Sequence, residues 1–177
     1  MIQVEVGGAA RVDPGIGVQR PGFMIRDFML VSNRGEEVRL STFRGRSNLA
    51  VVFPGHSDAM RVFLIDAERR GREFSEQDTA VVVVVPYGPE EQAIPIESGS
   101  PFLVLYDKTH AVYQRSGATD ENGHPVPLVY LTDRFGEIVS TYGGFSHLIP
   151  PTVEEVLGTF DFVNQQCPEC EPPEWPR

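Results

Sequence analysis

Two uninterrupted apolar runs, LAVVFP at residues 49–54 and AVVVVVP at 80–86, flank a segment with helical periodicity. Short apolar runs rich in β-branched residues have the length and character of strands buried on both faces. Between them Met60, Phe63, Leu64 and Ala67 recur at i, i+3, i+4 and i+7, the spacing of one helical face. Ser57 or Asp58 is the expected N-cap of that helix. Strand, helix and strand in this order form a parallel pair joined by a right-handed crossover. A parallel pair needs cover on both faces, which points to an α/β protein.

The remaining segments fit around this unit. Residues 28–31 and 37–40 read as a hairpin turning at Asn33, Arg34 and Gly35. FLVLYD is a further apolar strand, and KTHAVYQRSG a short helix capped by Asp107 and stopped by Gly117. Between the second core strand and FLVLYD, PYGPEEQAIPIESGSP reads as loop. LVYLTDRFGEIVSTYGG is a second hairpin, turning at Asp133, Arg134, Phe135 and Gly136. Thr152 and Glu155 form a capping box ahead of a last helix, whose buried stripe is Val153, Val156, Leu157, Phe160 and Val163. The order predicts a three-layer α/β/α sandwich with a mixed central sheet. Residues 1–22 read as an irregular arm with a short strand at 2–6. Residues 23–166 form one domain, and 167–177 a Pro-rich tail in which Trp175 packs back.

The 177 residues carry a net charge of −10, a surface that repels nucleic-acid phosphates and anionic lipid alike. No apolar run reaches the roughly 18 residues of a membrane span, and the first residues lack a basic-then-apolar leader. The expectation is a cytoplasmic protein without nucleic-acid or membrane partners.

Four strings in order carry a resemblance, one of them the LS-x-F-x-G pattern (LSTFRG, residues 40–45) inside the first stretch quoted below. PGFMIRDFMLVSNRGEEVRLSTFRGRSNLAVVFP, FLVLYDKTHAVYQRSGA and VPLVYLTDRFGEIV, with the βαβ unit between the first two, resemble the thioredoxin-like superfamily in its redoxin or peroxiredoxin (AhpC/TSA) branch. The likeness spans about residues 21–163. It implies a thioredoxin-like, peroxiredoxin-like sandwich and antioxidant or oxidoreductase activity. It also implies that Pro127 is a cis-proline facing the N-terminus of the first helix.

In that family the catalytic thiol sits in the first turn of this helix, where the dipole and free N–H groups favour a thiolate. Here the turn reads Pro54, Gly55, His56, Ser57, Asp58, Ala59, Met60, and the thiol's place falls at Ala59 or Met60. Neither side chain forms a thiolate or a disulfide, and Asp58 adds a charge that opposes one. His56, His124, Val126 and Pro127 line the expected groove. His56 and His124 with Asp58, Asp120 or Glu121 either hold a metal or are solvated loop residues. The latter is the expectation, so no metal or other cofactor is assigned. Serine–histidine catalysis by Ser57 and His56 is disfavoured because adjacent side chains rarely face each other.

The two cysteines, Cys167 and Cys170, form a CPEC in the tail. The spacing suits dithiol exchange, a structural disulfide or half a zinc site. It follows a helix C-terminus, where the dipole has the wrong sign to stabilise a thiolate. Two functions follow. One is a degenerate redoxin acting as a binding or scaffold domain, with a protein or peptide, or a second copy, as partner. The alternative is an antioxidant or thiol–disulfide oxidoreductase whose catalytic pair is Cys167 and Cys170.

Overall fold

The structure, a computed structural model, describes residues 17–91, 96, 99–144 and 149–166. The strand expected at residues 2–6 and the tail with Cys167, Cys170 and Trp175 lie outside the described residues. Seven strands, β1 (Met29–Ser32), β2 (Glu37–Arg39), β3 (Asn48–Phe53), β4 (Thr79–Val85), β5 (Leu103–Tyr106), β6 (Leu128–Thr132) and β7 (Ile138–Gly143), form one sheet in the order β2-β1-β5-β4-β3-β6-β7. The β3/β4 and β4/β5 pairs are parallel and the others antiparallel, so the sheet is mixed as expected.

Among the described residues the α-helices are α1 (Asp58–Arg69), α2 (Gly71–Glu76), α3 (Ala111–Ser116) and α4 (Val153–Gln165). Every residue of β3 is buried, and the strand sends alternate side chains to opposite faces. Ala50 and Val52 join the cluster under α1, α2 and α4. Leu49, Val51 and Phe53 join the cluster under α3, with Ile25 and Phe28 from the segment before β1. That division explains why the two apolar runs are continuous rather than alternating. The Thr152–Glu155 capping box forms on α4, and Val153, Val156, Leu157 and Phe160 are buried beneath it. Among the described residues no helix is long and apolar enough to cross a membrane.

Three expectations are corrected. A second short helix, α2, follows α1 directly. Arg70 joins them by pairing with Glu73 at 2.7 Å and with Glu154 of α4 at 2.9 Å. The cap of α3 is indirect. His110, in the left-handed conformation, holds the N-cap position, and Asp107 bonds the third helical residue from the strand end. Finally, no described peptide bond is cis, so Pro127 follows a trans bond. Trans is the more stable isomer for an X–Pro bond. In that form Val126 N–H donates to Ala118 O at 2.8 Å and Gly144 N–H to Pro127 O at 3.0 Å.

Candidate functional site

The carboxyl end of β3 runs through buried Pro54 and Gly55 into the first turn of α1. Ser57 takes the N-cap, its hydroxyl accepting the Met60 N–H at 3.3 Å. His56, Asp58 and Ala59 are exposed, whereas Met60 is fully buried in the cluster beneath α1. Of the two positions at which the resemblance places the thiol, only Ala59 opens to solvent. Met60 is a core residue, as its place in the helical stripe requires. Asp58 puts a carboxylate at the helix start, with Arg61 at 3.8 Å. This first turn therefore offers solvent a methyl group and a carboxylate, and holds no nucleophile that a helix field would activate.

The turn is nevertheless held firmly. Gly55 adopts φ +55°, and a Cβ there would lie 3.0 Å from Val126 C and 3.2 Å from Pro127 N. Only a residue without a side chain lets the β3–α1 turn meet the Pro125–Val126–Pro127 backbone this closely. Tyr113, a fully buried residue of α3, ties the same turn to the sheet. Its hydroxyl accepts the Gly55 N–H at 3.2 Å and donates to Val84 O at 2.8 Å. Burial pushes this phenol's pKa well above the usual tyrosine value, which keeps the proton in place for Val84. Phe53 stacks edge-on against the Tyr113 ring at 5.1 Å. Sequence reasoning passed over Tyr113. The available signal was a tyrosine within an apolar stripe, since a buried hydroxyl has to find a partner.

The other groove residues are dispersed. Val126 is buried, Pro127 half-buried and His124 exposed. His124 pairs with Asp120 at 3.2 Å, within its own loop. The His124 backbone N–H, first among several donors, holds the Asp120 carboxyl below its ordinary range. Among the described residues no three His, Cys, Asp or Glu side chains gather as a metal site. The Val126 N–H beside Pro127 is bonded to Ala118 O at 2.8 Å and so is not open to a further partner. Cys167 and Cys170 lie outside the described residues, so their distance to this turn is not part of the geometry.

The sequence profile described as the AhpC/TSA family matches residues 21–141. The chain belongs to the AhpC/TSA family. Among solved structures, the family member's fold is similar to the peroxidoxin BcpB from Mycobacterium tuberculosis. The TM-score is 0.64 at 16% identity, covering 78% of this chain and 94% of that one. It is similar to the mitochondrial 2-Cys peroxiredoxin of Plasmodium falciparum, with TM-score 0.62, 14% identity and coverage of 79% and 91%. A candidate thiol:disulfide interchange protein DsbE from Chlorobium tepidum superposes with TM-score 0.63 at 19% identity, covering 84% and 99%. At such identities the likeness carries the thioredoxin-like fold. No curated protein matches the sequence.

Proposed function

We propose that this AhpC/TSA-family chain is a binding or scaffold domain whose helix mouth no longer performs peroxide or disulfide chemistry. The observation that carries the reading is the first turn of α1. The exposed position is Ala59, the neighbouring Met60 is wholly in the core, and Asp58 places negative charge where a thiolate would have to form. A helix N-terminus lowers a thiol's pKa, and this one has no thiol to act on. Retention of the supporting bonds around Gly55 and Tyr113 is consistent with a fold kept for its shape.

Steady-state consumption of hydrogen peroxide, with dithiothreitol as reductant, tests the reading. The expected rate for the full chain equals that of the Cys167→Ser/Cys170→Ser double variant and the uncatalysed background. Turnover that survives in the double variant overturns the proposal outright. Turnover in the parent chain that vanishes in the double variant overturns it in favour of a tail dithiol enzyme.

A further inference from the structure

On the face of the sheet that α1, α2 and α4 cover further along, the β1–β5 end lies open. Met29 and Val31 are 48% and 46% exposed, although β1 is an internal strand. Register aligns Glu37, Val31 and Tyr106 in one row across β2, β1 and β5, with Arg39 and Met29 in the next. Residues directly opposite share a face. Glu37, Val31, Tyr106 and Met29, with Pro89 and Lys108, line an open depression of about 620 Å³, within the range of ligand-holding sites, roughly 300–1,000 Å³.

The charges around this floor are unequal. Lys108 is paired with Glu90 at 3.3 Å, and Arg39 with Asp27 at 3.3 Å. Exposed Glu37 has no ion-pair partner among the described residues. The depression is thus a mostly apolar floor whose row ends in Glu37, a carboxylate without an ion-pair partner among the described residues. A second copy of the chain is a poor occupant, because each copy brings a net charge of −10. Met29 and Val31 stand two residues apart on one strand, about 7 Å. Alternate side chains of an extended polypeptide have the same spacing.

We propose that this face docks an extended segment of a partner protein that places two large apolar side chains over Met29, Val31 and Tyr106 and a lysine or arginine against Glu37. The proposal rests on the binding reading above and moves the contact away from the Pro127 groove, whose Val126 donor is already spent.

The test is a titration of the ¹⁵N-labelled full chain with the peptide acetyl-KVLVLK-amide, followed by amide chemical shifts. Saturable shifts centred on Val31, Glu37 and Tyr106 are expected. Met29→Thr/Val31→Thr keeps the β-branched character of a strand while removing apolar surface, and should weaken binding at least about tenfold. Glu37→Gln should weaken it about threefold, and acetyl-EVLVLE-amide should fail to saturate. Absence of saturation by about 1 mM, shifts centred elsewhere, or equal affinity in the double variant would overturn the proposal. Those results leave the non-enzymatic reading untouched, which the peroxide assay decides separately.

Discussion

The chain has two helix mouths on the same side of the strands' carboxyl ends, and they are built by opposite means. At α1 the cap is local: Ser57 reaches its own first turn, and the mouth faces solvent through His56, Asp58 and Ala59. At α3 the cap is inherited from the strand. Asp107, 1% exposed, bonds the Tyr113 N–H at 2.8 Å, and His110 bridges the gap in a left-handed conformation while its ring nitrogen meets Pro86 O at 2.9 Å. The α3 mouth takes its cap from a buried carboxylate, although Lys108, Thr109 and Ala111 around it are exposed. The α1 mouth is open, and its shape is imposed from α3, through the Tyr113 hydroxyl. The comparison separates two things that a catalytic helix start combines, a rigid frame and a reactive group. Here the frame persists without the group.

The largest effect should come from Gly55→Ala. A left-handed backbone costs alanine about 1–2 kcal/mol, and the new Cβ presses on Val126 at 3.0 Å. A loss of about 2–3 kcal/mol, or a melting temperature roughly 5–10 °C lower, is expected. An unchanged melting temperature would show that the open mouth is soft and its contact with the Pro127 loop incidental.

Next come the two caps, compared directly by urea denaturation. Asp107→Ala orphans a buried N–H and should cost about 2 kcal/mol, against about 1 kcal/mol for Ser57→Ala. Equal losses would erase the distinction between a buried cap and a local one. Tyr113→Phe should cost about 1–2 kcal/mol, because it strips partners from both Gly55 N–H and Val84 O. Its specific mark is faster hydrogen exchange at the Gly55 amide, and unaltered exchange there would detach the two mouths from each other. The smallest change in stability, within about 0.5 kcal/mol, belongs to Ala59→Cys at an exposed helical site. That variant sharpens the comparison most. If the frame alone prepares the site, the new thiol's alkylation midpoint falls below about 8.5. A midpoint at or above that value would mean Asp58 cancels the helix field.

Much of this was readable in the chain. The runs at 49–54 and 80–86 declared β3 and β4 because burial on both faces leaves no polar residue in the pattern. Thr152 and Glu155 declared the start of α4 because a capping box needs only local chemistry. What escaped depends on contacts between distant segments. α2 begins with Gly71, packed 3.0 Å from the Pro101 ring by the position of a Cβ, and nothing in GREFSE separates it from the end of α1. The trans bond before Pro127 and the loss of Val126 as a donor are set by Ala118 and Gly144, which no local string reveals. At the site, the absence of a thiol was plain, while the assignment of Met60 to the core and Ala59 to solvent needed the helix phase. The role of Tyr113 needed the fold.

Gln19 is a strut whose importance the family match does not register. It is 1% exposed, and its side chain and backbone together hold Tyr130, Met24, Arg26 and Thr141. The family match opens at residue 21, beyond this strut. A polypeptide trimmed to that border would keep every strand of the sheet and the backbone bonds of Gly22, Phe23 and Ile25 to the β7 side, yet lose the Gln19 bonds to Tyr130 of β6 and Thr141 of β7. The family match and the full set of bonds that tie β6 and β7 to the segment before β1 therefore begin at different places in this chain.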